Sequence, residues 1–162
     1  MNNSETLFVA LSEQLTAFST FELYGTGQVA EYLATVENVV GPTILCDLLE
    51  AYSKIQDLGG EAFHTALREE ILSDECYGPV ARSLIKMWFC GTWYQLPSAW
   101  TDKFGQSLAN STFVVSANAY KEGLMWPTIG SHPMGAKAPG YASWTKAPEI
   151  PEIETSIIEQ TS

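Results

Sequence analysis

Apolar positions recur every three or four residues along most of the chain, which is the spacing of an amphipathic helix. Residues 4 to 18 show this pattern first, with Asn3 or Ser4 as the N-cap and Glu5 favourably placed in the first turn. The apolar stripe of this predicted first helix consists of Leu7, Phe8, Leu11, Leu15 and Phe18.

Glycine and proline positions divide the next part of the chain into further helices. A break at Gly25-Thr26-Gly27 precedes a second helix, which ends at Gly41. Pro42 suits the first position of a third helix, because its missing N–H would have no intrahelical partner there, and Gly59-Gly60 ends that helix. Asp74 is a candidate cap for a fifth helix running toward Trp93. The apolar stripes of the second to fifth helices are Val29, Tyr32, Leu33, Val36 and Val40; Ile44, Leu45, Leu48, Leu49, Tyr52 and Ile55; Phe63, Leu67 and Ile71; and Val80, Leu84, Met87 and Trp88.

Strict alternation of apolar and polar residues, which would indicate a sheet, is absent from the sequence. The one β-leaning run, residues 112–115, is short and leads into residues 116–124, where the apolar spacing again fits a helix. The pattern therefore predicts an all-α fold, a small helical bundle that occupies residues 1–126.

Beyond residue 126 the composition changes, because five of the eight prolines fall there among several glycines. Long helices do not tolerate that spacing of prolines. Disordered linkers are usually poor in aromatic residues, yet Tyr141 and Trp144 lie in this region and Trp126 directly precedes it. We therefore expect an extended, irregular docking arm over residues 127–150, followed by an acidic tail over residues 151–162.

Composition narrows the classes of function. The chain has 162 residues, 46% of them hydrophobic, which suits one domain with a real core. A formal net charge of -11 opposes binding to nucleic acid and to anionic membrane surfaces. The sequence has neither an apolar stretch of the roughly 20 residues that span a membrane nor a basic N-terminal secretion signal. The odd set Cys46, Cys76 and Cys90 predicts buried thiols rather than a disulfide framework.

Residues that could carry chemistry are few. His64 is expected to face solvent or cap a helix, and His132, within Ser131-His132-Pro133, is expected to make a local hydrogen bond in a turn. No short Cys or His spacing indicates a metal site, and Gly25-Thr26-Gly27 lacks the third glycine of a dinucleotide fingerprint. The sequence predicts no catalytic residue, no metal ligand and no cofactor-binding residue in this chain.

Four segments resemble one protein family. Residues 84–93, LIKMWFCGTW, look like the aliphatic-Trp-aromatic-x-Gly segment of the small (gamma) subunits of bacterial FAD-dependent sugar and polyol dehydrogenases. That family includes the small subunits of sorbitol, fructose and glucose dehydrogenases and the proteins similar to gluconate 2-dehydrogenase subunit 3. Residues 7–16 are similar to its opening helix, residues 119–126 to its Tyr-x-x-Ala-Leu-Met segment, and residues 139–148 to its closing element, in the same order.

The resemblance implies a non-catalytic bacterial subunit that binds and stabilises a glucose-methanol-choline (GMC) type flavoprotein and assists its folding or export. FAD and the sugar would belong to this catalytic partner, and a cytochrome c subunit is a further partner that the family allows. Family members typically carry a twin-arginine signal, which this chain lacks. We therefore expect a cytoplasmic complex, or a periplasmic one if a signal-bearing partner carries the chain out. Without a cysteine in the arm, attachment should be non-covalent.

Aromatic and proline residues of the second half are the candidate interface. On spacing alone Trp88 and Phe89 belong to the core, and Gly91 is expected to permit close packing or a bend against a neighbouring helix. Core and interface remain equal alternatives for Trp93, Tyr94 and Trp100, whereas the rings beyond residue 125 suit binding anchors. The full candidate set is Trp93, Tyr94, Trp100, Tyr120, Trp126, Pro133, Tyr141, Trp144 and Pro148.

Two other functions remain open from the sequence. In a carbohydrate-binding module, Trp126, Tyr141 and Trp144 would stack on sugar rings while Glu149 or Asp102 accepted hydrogen bonds from hydroxyls. An independent hydrolase would use His132 and would need neither a partner nor a flavin.

Overall fold

A computed structural model of the chain describes residues 3–105, 107 and 109–137. This part is predominantly helical, which confirms the all-α prediction. Its helices are α1 (Asn3–Thr16), α2 (Thr20–Gly25), α3 (Val29–Val40), α4 (Pro42–Ile55), α5 (Gly60–Ala66), a π-helical segment (Leu67–Leu72), α6 (Tyr77–Cys90), α7 (Ser98–Phe104), α8 (Ala117–Lys121) and α9 (Met125–Thr128).

Helices α1, α3, α4 and α6 pack around one core, with the indole of Trp88 at its centre. The Tyr32 ring meets this indole edge-on with ring centroids 4.7 Å apart, and the Phe8 ring lies 6.4 Å away. The indole N–H of Trp88 donates a 2.9 Å hydrogen bond to the buried hydroxyl of Ser12. One side chain of α6 thus joins α1 and α3, and its predicted place in the core is confirmed.

Helix α1 ends at Thr16, two residues before Phe18, the last residue of its predicted apolar stripe. Ala17 has a φ of +62°, which a helix does not contain, so Phe18 lies in the following loop. From there its ring still packs edge-on against Phe89 at 6.0 Å. The short helix α2 follows, and a reciprocal pair of hydrogen bonds between Ser19 and Glu22 caps it.

Several other helix ends follow the local chemistry that the sequence indicated, whereas α4 ends at Ile55, before the predicted stop at Gly59-Gly60. Helix α3 ends at Val40, directly before Gly41, and Pro42 opens α4. The carboxylate of Asp74 accepts hydrogen bonds from the backbone N–H groups of Cys76 and Tyr77, each 2.8 Å long, and so caps the start of α6. Helix α6 ends at Cys90 rather than continuing toward Trp93, because Gly91 adopts a left-handed conformation.

A small antiparallel sheet adds to the helices. Strand β1 (Thr92–Trp93) pairs with β2 (Phe113–Val114), with Thr92 opposite Val114 and Trp93 opposite Phe113. Strand β2 lies within the run that leaned toward β-structure in the sequence. Its partner β1 was predicted as helix, so the sheet itself is a correction.

The cysteines correct a second expectation. Cys46 is exposed and Cys76 and Cys90 are half-buried, so the prediction of three buried thiols is wrong. Cys46 directly follows the buried Leu45 on α4 and lies on the exposed side of the helix, where its Sγ is 3.8 Å from Oε1 of Glu50. Within the described residues no helix is long and apolar enough to cross a membrane.

Candidate docking surface

Residues 112–137, which we call the C-terminal lobe, fold back on the end of α6. The backbone N–H of Val115 donates to the carbonyl of Gly91 and that of Leu124 to the carbonyl of Trp88, each at 3.0 Å. Leu124 is buried against the core. The lobe is therefore joined to the C-terminal end of α6 by main-chain hydrogen bonds from residues that precede each of its two short helices.

Two glycines let the lobe approach α6 closely. A Cβ atom built on Gly91 would fall 2.6 Å from the backbone nitrogen of Tyr120 and still closer to the carbonyl group of Ala119. A Cβ atom built on Gly123 would fall 2.6 Å from the carbonyl oxygen of Phe89. Side chains have no room at either contact, and the prediction that Gly91 permits close packing is confirmed.

An aromatic pair lies on the lobe. The rings of Tyr120 and Trp126 meet edge to face with centroids 5.5 Å apart, an arrangement that aromatic pairs favour. The indole N–H of Trp126 donates a 2.9 Å hydrogen bond to the carbonyl of Tyr120, and the carbonyl of Trp126 accepts one from Ser131. Both rings are partly exposed while their positions are fixed by these contacts.

Exposed apolar side chains concentrate on the lobe. Met134 is 91% exposed and Ile129 61% exposed, and Val114 and Tyr120 are exposed as well. The only other large hydrophobic side chains exposed in the described part of the chain are Phe21 and Leu58. We refer to Val114, Tyr120, Ile129 and Met134 as the apolar surface of the lobe.

Charge separates the lobe from the rest of the described chain. Residues 3–111 contain fourteen Asp and Glu residues against five Lys and Arg residues. The lobe contains Lys121, Lys137 and a single carboxylate, Glu122, which pairs with Lys137 at 2.5 Å. An apolar, slightly basic lobe is thus attached to a strongly acidic body.

Some of the candidate interface residues belong to the core instead. Trp93 is 0% exposed and Trp100 is 4% exposed, and the indole N–H of Trp100 donates to the carbonyl of Cys76 at 2.8 Å. Pro133 is also buried. Core and interface were equal alternatives for Trp93 and Trp100, and the structure places both in the core. Trp93, Trp100 and Pro133 therefore present almost no side-chain surface to a partner.

The remaining candidates divide between the surface and the part of the chain outside the structure. Tyr94 is half-buried with the ammonium group of Lys86 5.2 Å from its ring centre, and Tyr120 and Trp126 lie on the lobe. Tyr141, Trp144 and Pro148 lie outside the described residues. Sequence reasoning missed the exposed residues Val114, Ile129 and Met134. Ile129 and Met134 are isolated among polar, Gly and Pro residues, whereas Val114 lies in the short β-leaning run.

His64 and His132 are far apart in the sequence, and their environments in the structure differ. His64 is exposed on α5, edge-on to Phe63, and borders an open cavity of about 260 Å³ that Gln14, Tyr52 and Gln56 also line. Nδ1 of His132 lies 3.2 Å from the carbonyl oxygen of Pro133, the local contact expected for a turn histidine. Among the described residues no group of three or more His, Cys, Asp or Glu side chains is arranged to hold a metal ion.

We compared the chain with protein-family models, with curated proteins and with solved structures. No protein-family model, no curated protein and no solved structure matches the chain. The similarity to small dehydrogenase subunits therefore rests on the four sequence segments and their order.

Proposed function

We propose that this chain is a non-catalytic small subunit that binds and stabilises a flavin-dependent, GMC-type sugar dehydrogenase. The concentration of exposed apolar side chains on the C-terminal lobe is the observation that carries this proposal. Exposed apolar patches on soluble proteins often mark interaction sites, and four of the six large apolar side chains that are exposed in the described residues lie on this lobe. The resemblance of four segments to the dehydrogenase small subunits supplies the identity of the partner.

The proposed contribution of the chain is contact area rather than chemistry. A subunit that binds only the folded state of its partner stabilises it by mass action, by about 2.7 kcal/mol at a free concentration one hundred times the Kd. FAD and the sugar would be bound by the catalytic subunit, and electrons would leave through it or through a cytochrome c subunit. The complex would be bacterial and cytoplasmic, or periplasmic where a signal on the catalytic subunit exports both chains.

Fixed aromatic and flexible apolar residues suit such a contact. Tyr120 and Trp126 are held by each other, so their rings lose little conformational entropy on binding. Met134 has an unbranched, polarisable side chain that adapts to an irregular apolar pocket. Tyr141, Trp144 and Pro148 of the proposed arm follow the lobe directly in sequence and would extend the contact.

Co-purification tests the proposal. The chain is co-expressed with the flavoprotein encoded by the neighbouring gene, isolated through a tag on the chain, and examined for the flavin absorbance of a bound partner. A double variant, Ile129→Ser with Met134→Ser, should lower the affinity by about a hundredfold if each residue contributes about 1.4 kcal/mol.

A matched control replaces the two exposed apolar residues outside the lobe, Phe21→Ser with Leu58→Ser. These changes remove similar apolar surface from α2 and from the loop before α5, and the affinity should stay within about threefold of the unmodified chain. Equal loss in both double variants, or an unmodified chain that is soluble and binds no flavoprotein, would refute the docking function of the lobe.

Titration with simple sugars separates this proposal from carbohydrate binding. Of the residues that a carbohydrate-binding module would use, Trp126 and Asp102 are in the described part of the chain. An accessory subunit should give no binding heat with monosaccharides when it is titrated alone. Saturable binding that is lost in Trp126→Ala would favour the carbohydrate-binding module.

A further inference from the structure

The backbone is strained at the junction between α1 and α2. Ala17 has a φ of +62°, and among the described residues it is the one non-glycine residue with a positive φ. A left-handed conformation is unfavourable for a residue that carries a Cβ atom. The N–H of Ala17 still donates to the carbonyl of Glu13 at 2.9 Å, as in a helix. The helical hydrogen bonds of α1 thus reach Ala17, and the backbone conformation changes at that residue.

Two contacts of Phe18 hold the chain in this conformation. Its N–H donates to Oγ1 of Thr16 at 3.3 Å, and this hydroxyl in turn donates to the carbonyl of Ser12 at 2.8 Å. The ring of Phe18 packs edge-on against the ring of Phe89, with centroids 6.0 Å apart. A strained backbone persists only where the surrounding contacts hold it in place.

The sequence favours a second conformation of the same residues. Phe18 continues the three-four spacing of the apolar stripe predicted for α1, and alanine has the highest helix propensity of all residues. With Ala17 in a helical conformation, α1 would extend through Phe18, the strain would be released, and the Phe18 ring would leave Phe89. Strain and helix propensity therefore favour a longer α1, whereas the contacts of Phe18 favour the observed one.

Phe89 connects this junction with the C-terminal lobe. A Cβ atom built on Gly123 would fall 2.6 Å from the carbonyl oxygen of Phe89, so the backbone of the lobe packs directly on that residue. The next residue of the lobe, Leu124, donates its N–H to the carbonyl of Trp88, which precedes Phe89 on α6. Phe18 thus packs against the same turn of α6 on which the lobe is held.

We propose that the junction between α1 and α2 is a conformational switch that controls how firmly the lobe is held on α6. With Ala17 left-handed, Phe18 supports Phe89 and the lobe keeps its position. With Ala17 helical, Phe18 withdraws from Phe89 and the lobe opens more readily. Any molecule that binds the lobe in only one of these states shifts the junction as well. The switch belongs to the free chain and does not depend on the identity of a partner.

Native-state hydrogen exchange of the full chain tests this coupling. The reporters are the amides of Val115 and Leu124, which donate from the lobe to the end of α6, and the amides of α4 are the internal reference. Relative to that reference, Phe18→Ala should speed exchange of the reporters about tenfold, because it removes the ring contact. Ala17→Gly relieves the strain and disfavours the longer helix, so it should slow exchange of the reporters about fivefold.

Phe21→Ala is the matched control. It truncates a phenylalanine of the neighbouring helix α2 that is 85% exposed, and it should change exchange of the reporters by less than about twofold. If Phe18→Ala leaves the reporters unchanged, or speeds exchange of the α4 amides equally, the switch is refuted. If Ala17→Gly does not slow the reporters, the strain is not coupled to the lobe and the proposal is overturned, even where Phe18→Ala fails to fold. The co-purification experiment decides the docking function separately.

Discussion

Replacement of Gly91 by alanine should weaken the packing of the C-terminal lobe against the end of α6. Gly91 has a φ of +62°, and a left-handed conformation costs a residue with a Cβ about 1–2 kcal/mol. The added methyl group would also overlap the carbonyl group of Ala119 and lie 2.6 Å from the backbone nitrogen of Tyr120. Overpacking of this kind costs about 1–3 kcal/mol. We therefore expect Gly91→Ala to lower the free energy of unfolding by about 2–5 kcal/mol.

Gly130→Ala is the matched control for this substitution. Gly130 has the same φ of +62°, but a Cβ atom built on it meets no atom within 4 Å. Urea denaturation followed by circular dichroism should show a loss of only about 1–2 kcal/mol for Gly130→Ala, from the backbone conformation alone. Equal losses for the two variants would refute the reasoning, because they would show that the contact between Gly91 and α8 contributes nothing to stability.

Two further predictions concern the bundle itself. Ser12→Ala leaves the buried indole N–H of Trp88 without an acceptor and should cost about 1–3 kcal/mol in urea unfolding, while Thr35→Ala, which removes an exposed hydroxyl, should cost less than about 0.5 kcal/mol. Hydrogen bonds from the side chain and backbone of Ser19 lower the pKa of Glu22 below its ordinary value of 4.5. Because the folded carboxyl binds a proton less readily than the unfolded one, its contribution is complete above pH 4.5 and is lost as the pH falls through the folded pKa. The difference in stability between Glu22→Gln and the unmodified chain should therefore shrink on acidification, and a difference that stays constant down to pH 3 would contradict this capping role.

Local sequence chemistry predicted the helices because their determinants lie within a few residues of each other. Pro42 opens α4 and Asp74 caps the chain at α6, and in both cases the groups involved are at most three residues apart. The three-four spacing of apolar residues likewise places Trp88 on the buried side of α6 whatever the rest of the chain does. Such short-range patterns therefore predict the local structure that the folded chain adopts.

Contacts between distant segments explain what the sequence did not predict. Trp93 belongs to a strand because residues 113–114 pair with it, and the N–H of the buried Trp100 finds its acceptor in the carbonyl of Cys76, 24 residues earlier. The apolar surface of the lobe is a result of the same kind, since Ile129 and Met134 are exposed by the way the lobe folds back on α6. The exposed apolar surface of the lobe depends on tertiary packing, which the local periodicity of apolar residues does not predict.

The anchoring of the lobe also bears on its proposed role, because a surface that is fixed before binding loses less entropy when it docks. Gly91 contacts the backbone of Ala119 and Tyr120, so the alanine methyl group would shift α8, which carries Tyr120 and Lys121. Under conditions in which Gly91→Ala remains folded, we expect its Kd for the flavoprotein to rise about tenfold or more, which corresponds to about 1.4 kcal/mol. Gly27→Ala, with a φ of +67° and open space around it in the turn before α3, should destabilise the chain without changing the Kd. Unchanged binding by Gly91→Ala would mean that the lobe docks without a fixed position on α6, and the role assigned to its two glycine contacts would then be confined to stability.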